Sequence, residues 1–259
     1  MPFHQVDSLR YYTFESFDAA GVRHAIFTRH GGVSPRPWAS LNLGGLIGDD
    51  LSRVVANRVR IFQALGRDPR SVYDVWQVHG NAVVCTDAPR PFDAEHAKAD
   101  AITTDKPHIT LLMRFADCVP IALYDPRRKV VGLVHAGWPG TVKRAAAAAV
   151  EAMQARYGSN PADILAGIGP SIGAHHYPVG PDVLEQVQAA FGAEAPTLLP
   201  GFGAATHFDL WAANRVVLEQ AGVRKIETAS LCTACHTDDW YSHRAEQGKT
   251  GRFGMVIHL

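Results

Sequence analysis

Two short apolar, β-prone runs stand out in the middle of the chain. Val119-Pro120-Ile121-Ala122-Leu123-Tyr124 and Val130-Val131-Gly132-Leu133-Val134 flank the polar segment Asp125-Pro126-Arg127-Arg128. This pattern predicts a β-hairpin closed by a four-residue loop. Setting Tyr124 opposite Lys129 also sets Cys118 opposite His135, and directly opposed residues on antiparallel strands have Cβ atoms about 4.5–5.5 Å apart. A slip of one residue would send the two side chains to opposite faces, so the pairing depends on the turn. A thiol and an imidazole held side by side make either half of a metal site or a nucleophile with its base.

The remaining pattern supplies short strands and a few helices. Residues 10–28 alternate around aromatic and β-branched positions (Tyr12, Phe14, Phe17, Val22, Ile26) and predict strands. Asp49-Asp50 can cap a helix running through about residue 65. Residues 72–78 predict a strand ending at His79-Gly80, and residues 81–86 continue as a strand before a polar loop over 87–98. Ala99 to Thr104 and Ile109 to Arg114 lead into the hairpin. Thr141 is placed to cap an Ala-rich helix from Val142 to Tyr157 that Gly158 closes. A strand over 164–168 precedes Gly169-Pro170-Ser171-Ile172-Gly173, helices are predicted over 181–191 and 209–221, and strands over 226–231 and 251–257. Hairpins are more evident than βαβ units, and no linker or repeat divides the chain. The expected class is α+β, a mixed α/β fold, as one domain over residues 1–259.

Composition narrows the function. Lys plus Arg and Asp plus Glu balance at 25 each, which gives no support to a nucleic-acid or anionic-membrane surface. Met1-Pro2-Phe3-His4-Gln5 lacks the features of a signal peptide, and no apolar run approaches the roughly 20 residues of a membrane span. Four cysteines in a chain of 259 residues do not suggest a disulfide framework, so a reduced, cytoplasmic protein is expected.

Other segments carry weaker signals. Arg29-His30-Gly31-Gly32-Val33-Ser34 could aim backbone N–H groups and a guanidinium at an anion, helped by Ser34 or by Asn42 from the next Gly-ended loop; an ordinary turn is the competing reading. His175-His176 would point apart if they lay on a strand. Cys232-Thr233-Ala234-Cys235 is a CxxC, but neither a second ligand pair nor a thioredoxin-like context is visible beside it.

Gln77-Val78-His79-Gly80, Ala116-Asp117-Cys118-Val119-Pro120 and Val134-His135-Ala136-Gly137-Trp138 together resemble three signature segments of the YfiH-like proteins. These were first labelled laccase-domain or multicopper polyphenol oxidases and later regarded as purine nucleoside phosphorylases with adenosine deaminase side activity. Phe27 to Ser34, Ser40 to Gly44, Asn57-Arg58, Gly167 to Gly173, Cys232-Thr233 and Thr250-Gly251-Arg252 extend the resemblance over nearly the whole chain. It implies a zinc bound by His79, Cys118 and His135, mixed sheets between helices, and purine nucleosides and phosphate as partners, with monomer or homodimer left open. Two positions depart from the pattern: Pro139 stands where the family usually carries Arg, and His243 where it carries an aromatic residue. If that Arg holds phosphate, its loss would slow the reaction or shift the substrate.

Three protein ligands with an open position suit a catalytic zinc, with Cys118 and His135 in the reacting centre. Asp117 beside the thiolate could move a proton or orient a ligand, or serve only as a hydrogen-bonded turn residue. Three alternatives stay open. A metal-free Cys118–His135 dyad would make a cysteine hydrolase, which leaves His79 without a task. Copper oxidation is disfavoured, because none of the 13 histidines forms a His-X-His pair. A structural zinc in a binding protein would need a fourth protein ligand.

Overall fold

The computed structural model describes residues 2–259. In chain order the strands are β1 (Phe3–Val6), β2 (Leu9–Tyr12), β3 (Arg23–Phe27), β4 (Val72–Tyr73), β5 (Val83–Cys85), β6 (Ala101–Thr104), β7 (Thr110–Phe115), β8 (Val119–Asp125), β9 (Val130–Ala136), β10 (Leu165–Ile168), β11 (Gly201–Phe202), β12 (Ala205–Thr206), β13 (Lys225–Thr228) and β14 (Phe253–His258). The helices are α1 (Glu15–Ala19), α2 (Leu51–Ala64), α3 (Trp138–Val142), α4 (Ala145–Tyr157), α5 (Pro181–Phe191), α6 (Ala195–Leu198) and α7 (Leu210–Gln220). Two mixed six-stranded sheets dominate, ordered β1-β2-β3-β14-β7-β4 and β13-β10-β8-β9-β6-β5.

Period-two alternation explains how the layers stack. Ile26, Met113 and Met255 of the first sheet meet Ala122, Tyr124 and Leu133 of the second in one buried cluster between the sheets. The opposite-facing neighbours Ala25, Phe27, Leu112 and Val256 pack on Ile61 and Phe62 of α2. On the second sheet, Ile121, Val134 and Ala136 pack on α4, α5 and α7. The result is the mixed α/β class expected, with helices outside two facing sheets. The strands of the central hairpin are buried on both faces, which is why they read as continuous apolar runs rather than as alternation.

Local departures have identifiable causes. Phe17 lies in α1 rather than on a strand, its ring fully buried. The strand expected over 72–78 stops at Tyr73, because the Gln77 side chain replaces the ladder: its amide donates to the Arg114 carbonyl at 2.8 Å and accepts from the Arg114 N–H at 3.0 Å. The Ala-rich helix starts at Ala145 and not at Val142. Arg144 takes a left-handed conformation (φ 60°) that separates it from α3, and Thr141 is buried inside α3, where its hydroxyl accepts from Asn214 Nδ2. Asp50 caps α2 as expected by accepting from the Ser52 N–H, and Gly158 closes α4 with φ 70°.

Candidate metal centre and its cleft

The hairpin keeps the expected face but not the expected register. Tyr124 pairs with Val131 and Pro120 with His135, because the turn runs from Pro126 through Lys129, which has φ 55°. A shift of two residues preserves parity, so Cys118 and His135 share a face and meet diagonally rather than directly. Cys118 lies just before β8 and follows Asp117, a non-glycine residue at φ 78°. His79 arrives from the loop after β4, also left-handed at φ 58°. Two such residues flanking one cluster store conformational strain of about 1–3 kcal/mol each, which the surrounding hydrogen bonds must offset.

On the His79 side those hydrogen bonds converge on Asp100, a fully buried carboxylate. Oδ1 accepts from His135 Nδ1 at 2.8 Å and from the His79 amide at 3.0 Å, while Oδ2 accepts from the Gly80 amide at 2.6 Å and the Val78 amide at 3.2 Å. Burial pushes this carboxyl up, yet the His135 imidazole and the loop amides outweigh it and hold it below its ordinary range. One side chain thereby fixes the His79 loop and orients His135. With Nδ1 as donor, Nε2 of His135 is left to serve as a ligand.

The ligand atoms of His79, Cys118 and His135 lie within 4.8 Å of one another. Cys118 Sγ is 3.8 Å from His79 Nε2, and the two imidazole rings meet edge to face at 4.9 Å. Sulfur and nitrogen bound tetrahedrally to one zinc are separated by about 3.6 Å, so the donor set and its spacing fit a metal. Gly137 makes room for it: a Cβ there would sit 2.9 Å from Cys118 Sγ and 3.0 Å from His79 Cδ2. Burial opposes ionisation of both hairpin groups, but each stabilises the other. The imidazoles draw the Cys118 thiol down to about 6, and the thiolate with Asp100 lifts His135 to about 9. A divalent cation would bind with loss of the His135 proton.

The cluster opens into a cavity of about 740 Å³. Four arginines line it, and two are already committed. Arg58 donates to the Leu43 carbonyl and Arg114 to the Val75 carbonyl and to Asp74, which is itself buried and also bound by Arg90. Arg244 stacks on Tyr177 with its guanidinium carbon 4.9 Å from the ring centroid and donates through Nη1 to the Pro178 carbonyl at 3.4 Å, and Arg252, among the described residues, is anchored only through Nη1, on the Thr250 and Gly251 carbonyls. At the rim, Leu46 is 81% and Trp76 51% exposed.

The structure brings together His79, Cys118, His135 and Asp117, all of which line the cavity. It does not bring Arg29, Ser34 and Asn42 to its lining. The Arg29 guanidinium donates to the Ala39 and Thr237 carbonyls and to Glu246, over the Tyr241 ring. Ser34 donates to Asp49, and Asn42 is buried, donating to Asp49 and accepting from the Arg252 N–H. All three side chains are spent on bracing these loops, although Gly44 and Gly45, just after Asn42, line the cavity. Asp117 has both carboxylate oxygens engaged, by the Thr233 hydroxyl and the Arg244 N–H, each at 2.6 Å. That is the turn-residue arrangement. Pro139, in the first turn of α3, and the exposed His243 also line the cavity. Asp100 escaped the reading of the sequence; the available signal was a lone acid at the start of an otherwise apolar β-prone run.

Comparison with known proteins places the chain in a family. Residues 23–259 match the family model described as multi-copper polyphenol oxidoreductase laccase. A protein of Deinococcus radiodurans named purine nucleoside phosphorylase is 41% identical over 92% of this chain and 89% of its own length. Purine nucleoside phosphorylase YlmD of Bacillus subtilis is 36% identical over 90% and 86%. The crystal structure of the Bacillus licheniformis hypothetical protein YfiH superposes with a TM-score of 0.92 at 34% identity, covering 100% of this chain and 99% of that one. With the match spanning both sheets, the hairpin and every residue of the cluster, the chain belongs to the laccase-labelled YfiH family.

Proposed function

We propose that this protein is a zinc-dependent purine nucleoside phosphorylase, cleaving adenosine, inosine, guanosine or methylthioadenosine to free base and ribose 1-phosphate, or its 5-methylthio derivative from the last. The observation that carries the reading is one cleft holding the three-donor cluster, two arginines with unengaged guanidinium nitrogens and an apolar rim. His79, Cys118 and His135 would hold the zinc, which supplies Lewis acidity when bound. Arg252 and Arg244 hold phosphate by charge-assisted hydrogen bonds and stand in for the cation absent at Pro139. Trp76 and Leu46 offer the purine an apolar surface. Asp117 positions the Thr233 and Arg244 segments rather than transferring a proton. Adenosine deamination is proposed as a second activity of the same cleft.

Product chromatography with adenosine or inosine, with and without phosphate, tests this. Phosphate-dependent release of base, lost in Cys118→Ala, is expected; no base above that control sinks the phosphorylase reading. Inosine formed from adenosine without phosphate marks deamination. The Asp100–His135 bond also suits a cysteine hydrolase, with Asp100 orienting the base of a Cys118 nucleophile. Activity that survives exhaustive chelation would favour that reading.

A further inference from the structure

A second cluster lies outside the first. Strands β10 and β13 run parallel, and their chains leave the sheet side by side: the Ser171 N–H donates to the Leu231 carbonyl and the Thr233 N–H to the Ser171 carbonyl, each at 3.1 Å. This pairing sets the segment after β10 against the CxxC after β13. His175 and His176 do not lie on a strand. They sit in the short 3₁₀ turn Ala174–His176, which brings their ring centroids to 4.6 Å instead of sending them apart. The ligand atoms of His175, His176, Cys232 and Cys235 all lie within 4.8 Å of one another.

We propose that these four residues form a second zinc site, of the Cys2His2 type and structural in role. His176 Nδ1 is 3.6 Å from both sulfurs, and His175 Nε2 is 3.1 Å from Cys235 Sγ. Tetrahedral zinc separates S and N ligands by about 3.6 Å, so three of the donors already stand near coordination spacing and the fourth needs a small outward shift. Apart from the Gly173 N–H, which donates to Cys232 Sγ at 3.2 Å, no group among the described residues outside the cluster hydrogen-bonds to these four side chains. Gly173 admits the ring: a Cβ there would fall 2.7 Å from His175 Cε1 and 3.3 Å from Cys232 Cβ. A tetrahedral S2N2 set selects zinc over harder divalent ions, and four protein ligands close the site to substrate.

The site ties the two loops that hold Asp117. The Ile172 N–H donates to the Asp117 carbonyl at 3.0 Å and the Thr233 hydroxyl to its carboxylate. It therefore braces the residue preceding Cys118 from outside the cleft. The inference does not depend on the phosphorylase reading.

Metal analysis of the full-length protein purified under reducing conditions tests it. The wild type is expected to carry about two zinc ions per chain, Cys118→Ala about one, and Cys118→Ala combined with Cys235→Ser none. Cobalt loaded into Cys118→Ala should give tetrahedral d–d bands and thiolate charge-transfer absorption, both lost on adding Cys235→Ser or His175→Ala. Cys235 and His175 are exposed, and native circular dichroism will show that these variants fold. A folded Cys118→Ala protein that holds no zinc overturns the proposal. So does copper in place of zinc at that site, or a Cys232–Cys235 disulfide in the freshly purified protein.

Discussion

Asp100→Asn isolates the carboxylate beneath the candidate metal centre. The substitution keeps shape and removes charge, and it sets an NH2 against two donors whichever way the amide turns. With Nδ2 in the Oδ2 position, the Gly80 and Val78 amides lose their acceptor; in the Oδ1 position, the His79 amide and His135 Nδ1–H lose theirs. Each buried donor left unpaired costs about 1–3 kcal/mol, so either orientation costs about 2–6 kcal/mol. In the second orientation His135 can relieve its clash by moving its proton to Nε2, which removes the ligand lone pair. Loss of such a supporting partner typically weakens metal binding about 10–100-fold. Urea denaturation of metal-free protein measures the first effect, and competition against a chromophoric chelator the second. Unchanged urea midpoint and zinc affinity within twofold of wild type would refute the assignment of Asp100 as the support of the cluster.

Four further substitutions probe the metal pocket, the anion site and the buried carboxylate of Asp74. Gly137→Ala meets Cys118 Sγ and His79 Cδ2 but not its own backbone, which is extended at φ −70°, so zinc affinity should fall at least tenfold with secondary structure unchanged; equal affinity in a chelator titration would contradict this. Arg252→Gln should raise the phosphate KM about 10–100-fold, as expected for a charge-assisted hydrogen bond, whereas Arg29→Gln should leave KM unchanged and lower the urea midpoint. The opposite ranking would return the anion site to the Arg29 loop. Asp74 is held well below the ordinary carboxylate range: burial pushes it up, but His96 and the guanidiniums of Arg114 and Arg58 prevail. A depressed folded-state value contributes stability above the unfolded pKa of about 3.9 that is lost as pH falls below it. Asp74→Asn should therefore cost about 3–5 kcal/mol at pH 7 and flatten the pH dependence of the urea midpoint between pH 5 and 2.

Most of what assembles the candidate metal centre was legible along the chain, because side-chain parity on a strand survives errors of two residues. Cys118 and His135 stayed together although the four-residue turn lies one residue further along the chain than the Tyr124–Lys129 pairing implied. What was hidden had non-local causes. Asp100 acts through amides some twenty residues away in sequence, and no periodicity reports that. The anion loop at Arg29 looked open because its partners, Thr237 and Glu246, come from the far end of the chain. His175 and His176 read as divergent because a strand was assumed where a 3₁₀ turn forms, and that one local difference separates an idle pair from half of a cluster.

Strand β14 occupies the middle of its sheet, between β3 and β7. On a ribosome, the two flanking strands emerge long before their shared neighbour, each presenting an unpaired edge and an apolar face that includes Ile26 and Met113. Only when residues 253–258 arrive can the gap close, and Arg252 enters the cleft in the same event. The first sheet is thus completed only when β14 docks, and removal of that one strand would leave two half-sheets rather than a narrower sheet.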